Sequence, residues 1–450
     1  MSPLHDPVFP RPSRPIDRLI APLERFLHVE AAGGIVLLAC TIVALAIANS
    51  PCADAYHHFW QTELGLRIGS FSFVHSLEFW VNDGLMALFF FLVGLEVKRE
   101  LVFGDLRDPR AAMLPIMGAI GGMVVPAGIY ISLLGHTPAA HGWGVPMATD
   151  IAFVVGCVAV LGHRVPAPLR VMLLTLAIAD DIGAILVIAV GYSSGISLVP
   201  LTLGAGVIAL IVLMSRLGVR YLRVYWALGA LVWLAVLKSG VHATIAGVIL
   251  GLMTPTRADV SEGAAAQLLE RVADWLKGQS EAEAADKAQR LNNLRRTARE
   301  AVSPLEYLEN ELHPWVSFVI MPVFALANAG VHLSFADVVD RVAVGIAVSL
   351  LVGKPVGVVT LSWLATRLGI ARLPRTVSWA QVVAGGILCG IGFTMSLFVA
   401  NLGLARETLD AAKIGILTGS TLAAVLGCAA FYAIAGSHRH ESENPPDNRV

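Results

Sequence analysis

The string LTLAIADDIGAILVI sets Asp180 and Asp181 side by side in an almost wholly apolar run. Successive positions on a helix differ by about 100°. Both carboxylates can therefore line one cavity, yet neither shields the other. Carboxylate oxygens are the ligands that small hard cations prefer, and they also bind protons. Burial and a neighbouring like charge both favour the protonated form, and two such groups titrate as a coupled pair. A proton and a cation then compete for the same oxygens. A purely structural role would instead have to neutralise two like charges. Lys354, in LLVGKPVGVV, is the natural counter-charge, since opposite charges within about 4–6 Å favour both charged forms. It reads either as a structural ion pair or as an amine whose release couples two ions. Asp150 opens a short apolar span behind the helix-breaking residues Gly142, Gly144 and Pro146. Asp83, among Trp80, Val81, Asn82 and Gly84, reads equally as a functional carboxylate and as an interfacial helix start.

These charges are informative because of where they lie. The chain has 450 residues, 56% of them hydrophobic and 14% charged, with a mean hydropathy of +0.71. Soluble domains run near 25% charged residues. A charged side chain at mid-membrane costs about 2.5–3.5 kcal/mol on insertion scales. A spanning helix needs about 20 apolar residues, and twelve candidates follow: 31–49, 76–99, 111–134, 149–161, 169–190, 198–214, 224–237, 240–252, 314–330, 341–364, 380–401 and 411–436. With both termini in the cytoplasm, 26 of the 32 Lys and Arg residues fall on the cytoplasmic side and five on the other, as the positive-inside rule requires. Basic segments flank 224–252 at both ends, so the chain crosses there twice, turning at Lys238, Ser239 and Gly240.

The sequence thus divides into a cytoplasmic tail 1–30 with no cleaved signal, a transmembrane domain 31–436 and a disordered cytoplasmic tail 437–450. Residues 62–73 (TELGLRIGSFSF) alternate apolar and polar around Gly69 and Ser70 and predict a small β-hairpin. Residues 255–306 predict a cytoplasmic helical loop. Its Leu268, Leu269, Val272, Trp275 and Leu276 at helical spacing suit either a membrane surface or a solvated linker. The cysteines Cys40, Cys52, Cys157, Cys389 and Cys428 form no C-x-x-C pair and read as small apolar residues. A net charge of -1 gives no reason to expect a nucleic-acid partner.

A second interruption, GGILCGIGFTMS, brings Gly385, Gly386, Gly390 and Gly392 ahead of Thr394. These glycines suit helix packing. Two interrupted spans in the two halves of a chain also suit a binding site built from half-helix ends.

The strings VNDGLMALFFFLVGLEVKRE, ATDIAF, LAIADDIGAI, VLKSGVHATIAGV, LHPWV, FALANAGV, GKPVG and GILCGIGFTMS, in this order through residues 62–428, resemble the NhaA family of bacterial sodium/proton antiporters. Antiporters of this fold are themselves type examples of the half-helix rule. The resemblance implies an all-α polytopic fold of about twelve transmembrane helices with inverted repeats. It implies two interrupted helices that cross at mid-membrane and a small periplasmic β-hairpin, with residues 62–73 making a homodimer contact. It implies Asp180 and Asp181 as carriers of Na+ (Li+ included) and H+, Thr149 and Asp150 at the crossing, and no cofactor. Asp150 would offset the positive half-helix N-termini and Lys354 the negative C-termini, or Lys354 would pair with Asp180. Exchange would be electrogenic and active at alkaline pH, in the inner membrane. Glu96, Arg99, Glu100, Glu309 and His313 match a cytoplasmic cluster associated with pH sensing, and His242 a histidine linked to pH response. The segment 255–306 is longer than the family's usual link into LHPWV.

Rival functions lack their residues. An intramembrane aspartyl protease calls for a G-x-G-D string. An ATP-driven pump calls for a phosphate-binding loop, and Lys354 is followed by Pro355. A passive cation channel is opposed by a lysine beside the carboxylates. A sodium-coupled symporter of an organic solute is the nearest alternative, and it calls for polar or aromatic groups for that solute at mid-depth.

Overall fold

The computed structural model describes residues 32–69, 71–193, 195–219, 221–257, 302–333 and 335–443. The expected tail 1–30, the stretch 258–301 that holds the expected amphipathic helix, and residues 444–450 lie outside the described residues.

The described residues are built almost entirely into helices: α1 (Ala32–Ala48), α2 (Ala53–Gln61), α3 (Leu77–Phe79, Trp80–Leu85 and Met86–Val102 in succession), α4 (Pro109–Leu134), α5 (Ile151–Leu161), α6 (Ala167–Gly191), α7 (Leu198–Arg216), α8 (Leu222–Lys238) and α9 (Thr244–Met253). After the segment outside the description come α10 (Pro304–Trp315, Val316–Ile320 and Met321–Asn328 in succession), α11 (Arg341–Arg367), α12 (Trp379–Leu388), α13 (Phe393–Gly403) and α14 (Arg406–Glu443). Starts are set by local chemistry. Asp108 accepts from the Arg110 amide ahead of Pro109, Ser303 accepts from the Glu306 amide ahead of Pro304, and Ser378 with Gln381 forms a capping box. The α8–α9 turn uses Gly240 at φ +82°, a left-handed value that suits glycine.

Two boundaries differ from the sequence expectation. The helix expected at 314–330 begins at Pro304, because its polar first stretch buries Leu305 and Leu308 and propagates a helix that an apolar scan does not register. The last helix was expected to stop at 436, before a disordered tail. It continues to Glu443, since Ser437 to Glu443 contain neither glycine nor proline.

By length and apolar composition five helices among the described residues suffice to cross a membrane, Pro109–Leu134, Ala167–Gly191, Leu198–Arg216, Arg341–Arg367 and Arg406–Ala435. Three bent pairs bring the number to eight if each pair is one span. Their lipid-compatible surface is plain on α7, where Leu198, Val199, Leu203 and Leu213 are all exposed. Soluble monomers rarely expose an apolar surface of this extent.

The helices pack as two groups. One contains α4, α5, α6, α11, α12, α13 and α14; the other contains α1, α3, α7, α8, α9 and α10. They meet where α3 touches α6, α1 touches α5, and α10 touches α13. Within the first group the crossing of α4 and α11 is close enough that a Cβ on Gly121 would collide with the Gly357 carbonyl. Small residues permit this backbone approach.

The alternating stretch forms an antiparallel pair, β1 (Glu63–Ile68) and β2 (Phe71–Ser76), with Ile68 opposite Phe71 and Glu63 opposite Ser76. Gly69, at φ +58°, supplies the turn. Ser76 ends β2 and caps α3 by accepting from the Phe79 amide.

Candidate functional site

The site is assembled where two interrupted helices pass each other. In the first, the 3₁₀-helical stretch Pro138–Met147 meets α5 at a bend of 41°; in the second, α12 meets α13 at 50°. Each break leaves backbone carbonyls at the end of one half and amides at the start of the other. Burial makes every one of these groups costly unless it is paired.

The pairing is supplied by side chains. At the amide ends, Asp150 accepts from the Phe153 amide of α5 through Oδ1 and from the Thr394 amide of α13 through Oδ2, and the Thr394 hydroxyl donates to the same Oδ2. At the carbonyl ends, Lys354 Nζ donates to the Met147 carbonyl, and Thr149 Oγ1 donates to the Cys389 carbonyl at 3.0 Å. The Asp150 amide donates to the Ile391 carbonyl at 2.7 Å, stitching the two breaks together. One carboxylate thus faces two positive helix ends, and one ammonium faces a negative end, as the helix dipole favours. Both arrangements implied for Lys354 coexist, because the same Nζ also reaches Asp180 Oδ2 at 2.6 Å and Thr149 Oγ1 at 2.8 Å. A π-helical turn at Ser349–Gly353 leads directly into Lys354; such turns re-aim the side chains that follow them.

Asp180 and Asp181 lie on α6 beside this crossing and are fully buried, as are Asp150, Thr149, Lys354 and Thr394. Oδ1 of Asp180 and Oδ1 of Asp181 find no hydrogen-bond partner among the described residues. Two buried carboxylate oxygens without donors form an arrangement that a bound cation or proton completes.

Several supporting groups carried no recognisable sequence signal. Tyr130 OH donates to the Ala139 carbonyl, Tyr192 OH accepts from the Gly144 amide, and Ser396 Oγ donates to the Val145 carbonyl. These three bonds, with that of Lys354, tie the 138–147 stretch to α4, the end of α6, α13 and α11. Thr394 could have been found: it is the first polar side chain after the glycine-broken string.

The remaining expected residues occupy two places. At one end of α3, Arg99 Nη1 bonds Glu309 Oε1 of α10 at 2.5 Å, Thr175 Oγ1 of α6 lies 3.5 Å from Glu100 Oε1, and Glu96 and His313 lie within electrostatic reach of Arg99. This brings together Glu96, Arg99, Glu100, Glu309 and His313. Burial pushes the Glu309 carboxyl above the usual glutamate range, and Arg99 only partly offsets it. Burial and Arg99 both hold His313 below the usual histidine value. His242 is elsewhere, in the α8–α9 turn, with Nε2 2.8 Å from the Tyr192 carbonyl at the end of α6. Burial lowers its pKa, while that carbonyl acts in the opposite sense.

Asp83 sits in the π-helical turn of α3, and its own carbonyl accepts from Trp233 Nε1 at 3.1 Å. A cavity of about 1950 Å³, lined by Trp60, Trp80, Trp226, Trp233 and Tyr307, lies between α3, α8 and α9 and includes none of the crossing carboxylates. It is apolar, and the chemistry is elsewhere.

A profile of the family described as Na+/H+ antiporter 1 matches residues 24–431. The Na(+)/H(+) antiporter NhaA of Rhodopirellula baltica is 50% identical over 418 residues, covering 93% of this chain and 95% of its own length. The Na(+)/H(+) antiporter NhaA of Rhizobium meliloti is 46% identical over 436 residues, covering 97% and 100%. The Na(+)/H(+) antiporter NhaA 2 of Myxococcus xanthus is 50% identical over 414 residues, covering 90% and 87%.

Proposed function

The chain belongs to the Na+/H+ antiporter 1 family of multi-pass membrane proteins, which are secondary transporters rather than enzymes, and from that premise we propose that Asp180 and Asp181 carry its two ions in turn. The observation that carries this reading is the pair of buried carboxylates, each with one oxygen lacking a donor, beside a crossing whose helix ends are already neutralised. Asp150, Thr149 and Lys354 keep the crossing neutral in the absence of cargo. A sodium ion entering between Asp180 and Asp181 supplies the positive charge that protons supply otherwise. It also weakens the hold of Asp180 on Lys354. Protons arriving from the other side then displace the ion, since the two compete for the same oxygens. Two carboxylates and one amine let more than one proton be exchanged per cation, which makes the exchange electrogenic. Lithium, another small hard cation, fits the same oxygens.

The natural setting is the bacterial inner membrane, with sodium expelled and protons admitted. We read twelve crossings: the five long helices, α1, α8, α9, the π-interrupted α3 and α10, and the two broken pairs. They form inverted repeats, with both termini cytoplasmic. That orientation sets Arg99, Glu309 and His313 in the cytoplasm, where they tune activity to pH. It sets the β-hairpin in the periplasm, where it joins two copies. Leu64 and Leu66 of β1 are more than half exposed. The hairpin itself is held firmly, by Trp80 Nε1 on the Leu64 carbonyl at 2.9 Å and by Lys238 over the Phe73 ring.

The test is proton flux in proteoliposomes with an imposed pH gradient and a pH-sensitive dye. Sodium is expected to collapse the gradient where choline and potassium do not, and Asp181→Asn to reduce the response to that of protein-free vesicles. No sodium response between about pH 6 and 9 would overturn the antiport reading; an equal response in Asp181→Asn would overturn the choice of site.

A further inference from the structure

Three asparagines on three different helices meet in one chain of hydrogen bonds. Asn82 lies in the π-helical turn of α3, Asn328 ends α10 and Asn401 lies near the end of α13. Asn328 Nδ2 donates to Asn82 Oδ1 at 2.8 Å and to the Phe324 carbonyl at 2.9 Å; Asn328 Oδ1 accepts from Asn401 Nδ2 at 2.7 Å. Asn328 is fully buried. Directly inward, the same three helices meet again through aromatic rings. Phe398 of α13 packs on Phe90 of α3 at 5.3 Å between centroids and on Phe324 of α10 at 6.4 Å. One further turn along α13 is Thr394, bonded to Asp150 at the crossing.

The order along all three helices is the same. On α3 it runs Asn82, Phe90, Arg99; on α10 it runs Asn328, Phe324, Glu309. The amide layer therefore lies on the opposite side of the crossing from the Arg99–Glu309 pair, with a phenylalanine layer between. The partners also belong to different groups of helices, because α13 packs with the aspartate-bearing group and α3 and α10 with the other. α10 touches α13 along this seam.

We propose that Asn82, Asn328 and Asn401, with the phenylalanine layer beneath, form the gate that closes the cation site on the side away from Arg99 and Glu309, and that the Asn401–Asn328 bond breaks and re-forms once in each transport cycle. The proposal rests on the antiport reading, and goes beyond it by assigning a role to residues that touch no cargo. Amides suit the task. They carry no charge to compete with the cation, and each offers both a donor and an acceptor. A hydrogen bond between membrane helices is weak enough to be exchanged repeatedly. The phenylalanines exclude water while the gate is shut. A single amide would serve to pin two helices. The three-membered chain instead keeps Asn328 bonded to Asn82 and Phe324 on its own side when Asn401 leaves, so opening strands no buried donor of Asn328.

The experiment uses the full chain with Asn328→Cys and Asn401→Cys, its five natural cysteines changed to serine, in proteoliposomes. A short, reducible bis-methanethiosulfonate reagent bridges the new thiols. Sodium-dependent proton flux is expected to fall by roughly tenfold or more on bridging, because a locked gate stops the cycle, and to return with reductant. Bridged protein that exchanges at its reduced rate would overturn the gate and leave antiport standing. Absence of sodium-driven flux in the unmodified protein would overturn antiport, and the gate with it. A second measurement stands independently of the double variant. With Cys389 as the sole cysteine, its labelling by a membrane-impermeant maleimide from the Asn401 side reports entry past the seam. Asn401→Leu is expected to speed that labelling by about threefold or more, by shifting the population toward the open form; unchanged labelling would overturn the proposal.

Discussion

At the residue scale the decisive feature is how few charges serve how many backbone groups. Asp150 answers two helix N-termini and Lys354 answers a C-terminus as well as Asp180. Removing one member of a buried ion pair costs about 3–5 kcal/mol, because the survivor is left uncompensated. Lys354→Met is therefore expected to lower the thermal midpoint in detergent markedly, and to leave Asp180 retaining its proton. Adding Asp180→Asn to that variant removes the stranded carboxylate and is expected to recover most of the loss. A double variant no more stable than Lys354→Met alone would show that Lys354 acts chiefly on the Met147 carbonyl and Thr149.

At the element scale, function depends on how helices are held against each other. The α4–α11 contact is backbone against backbone at Gly121 and Gly357, one turn from Lys354. Gly357→Ala is expected to push the helices apart, costing about 1–3 kcal/mol as overpacking does, and to slow exchange by displacing Lys354. Unchanged thermal stability and flux would show that the crossing yields freely. Between α3 and α10 one link is the Arg99–Glu309 pair, whose Arg99 is half exposed, so the bond itself contributes little stability. Its pH response is the testable part. The Glu309 pKa is raised on folding, so its stabilising contribution is complete at acid pH and is lost as pH rises through the folded value. Glu309→Gln, which stays uncharged, should match wild type in acid and become the more stable protein above that value. The same variant should flatten the pH dependence of sodium-driven flux; an unaltered flux profile would remove Glu309 from the pH response.

At the scale of the whole molecule, the proposed cycle requires the two groups of helices to move relative to each other while the hairpin stays fixed to the group that holds α3 and α8. Its exposed Leu64 and Leu66 then remain available to a second copy throughout the cycle. Leu66→Asp is expected to convert dimers to monomers in native mass spectrometry from mild detergent, with proton flux per chain retained. Dimers that persist would place the contact elsewhere.

Much of this was legible beforehand for a physical reason. Charges are expensive in apolar surroundings, so Asp150, Asp180, Asp181 and Lys354 announced themselves. Glycines and prolines break helices wherever they stand, which marked both interruptions. The turn at Gly240 and the hairpin at Gly69 followed from charge asymmetry and from period-two alternation. The sequence alone therefore determined a multi-helix membrane protein with buried carboxylates near broken helices. Tertiary structure decided which groups meet. That one Nζ serves Asp180, Thr149 and Met147, that Tyr130, Tyr192 and Ser396 tie down one half-helix, and that Asn82, Asn328 and Asn401 align across three helices all depend on contacts between residues 9 to 251 positions apart. No local period or propensity encodes such meetings, because an amide or hydroxyl in an apolar run looks the same whether its partner is its own helix or a distant one.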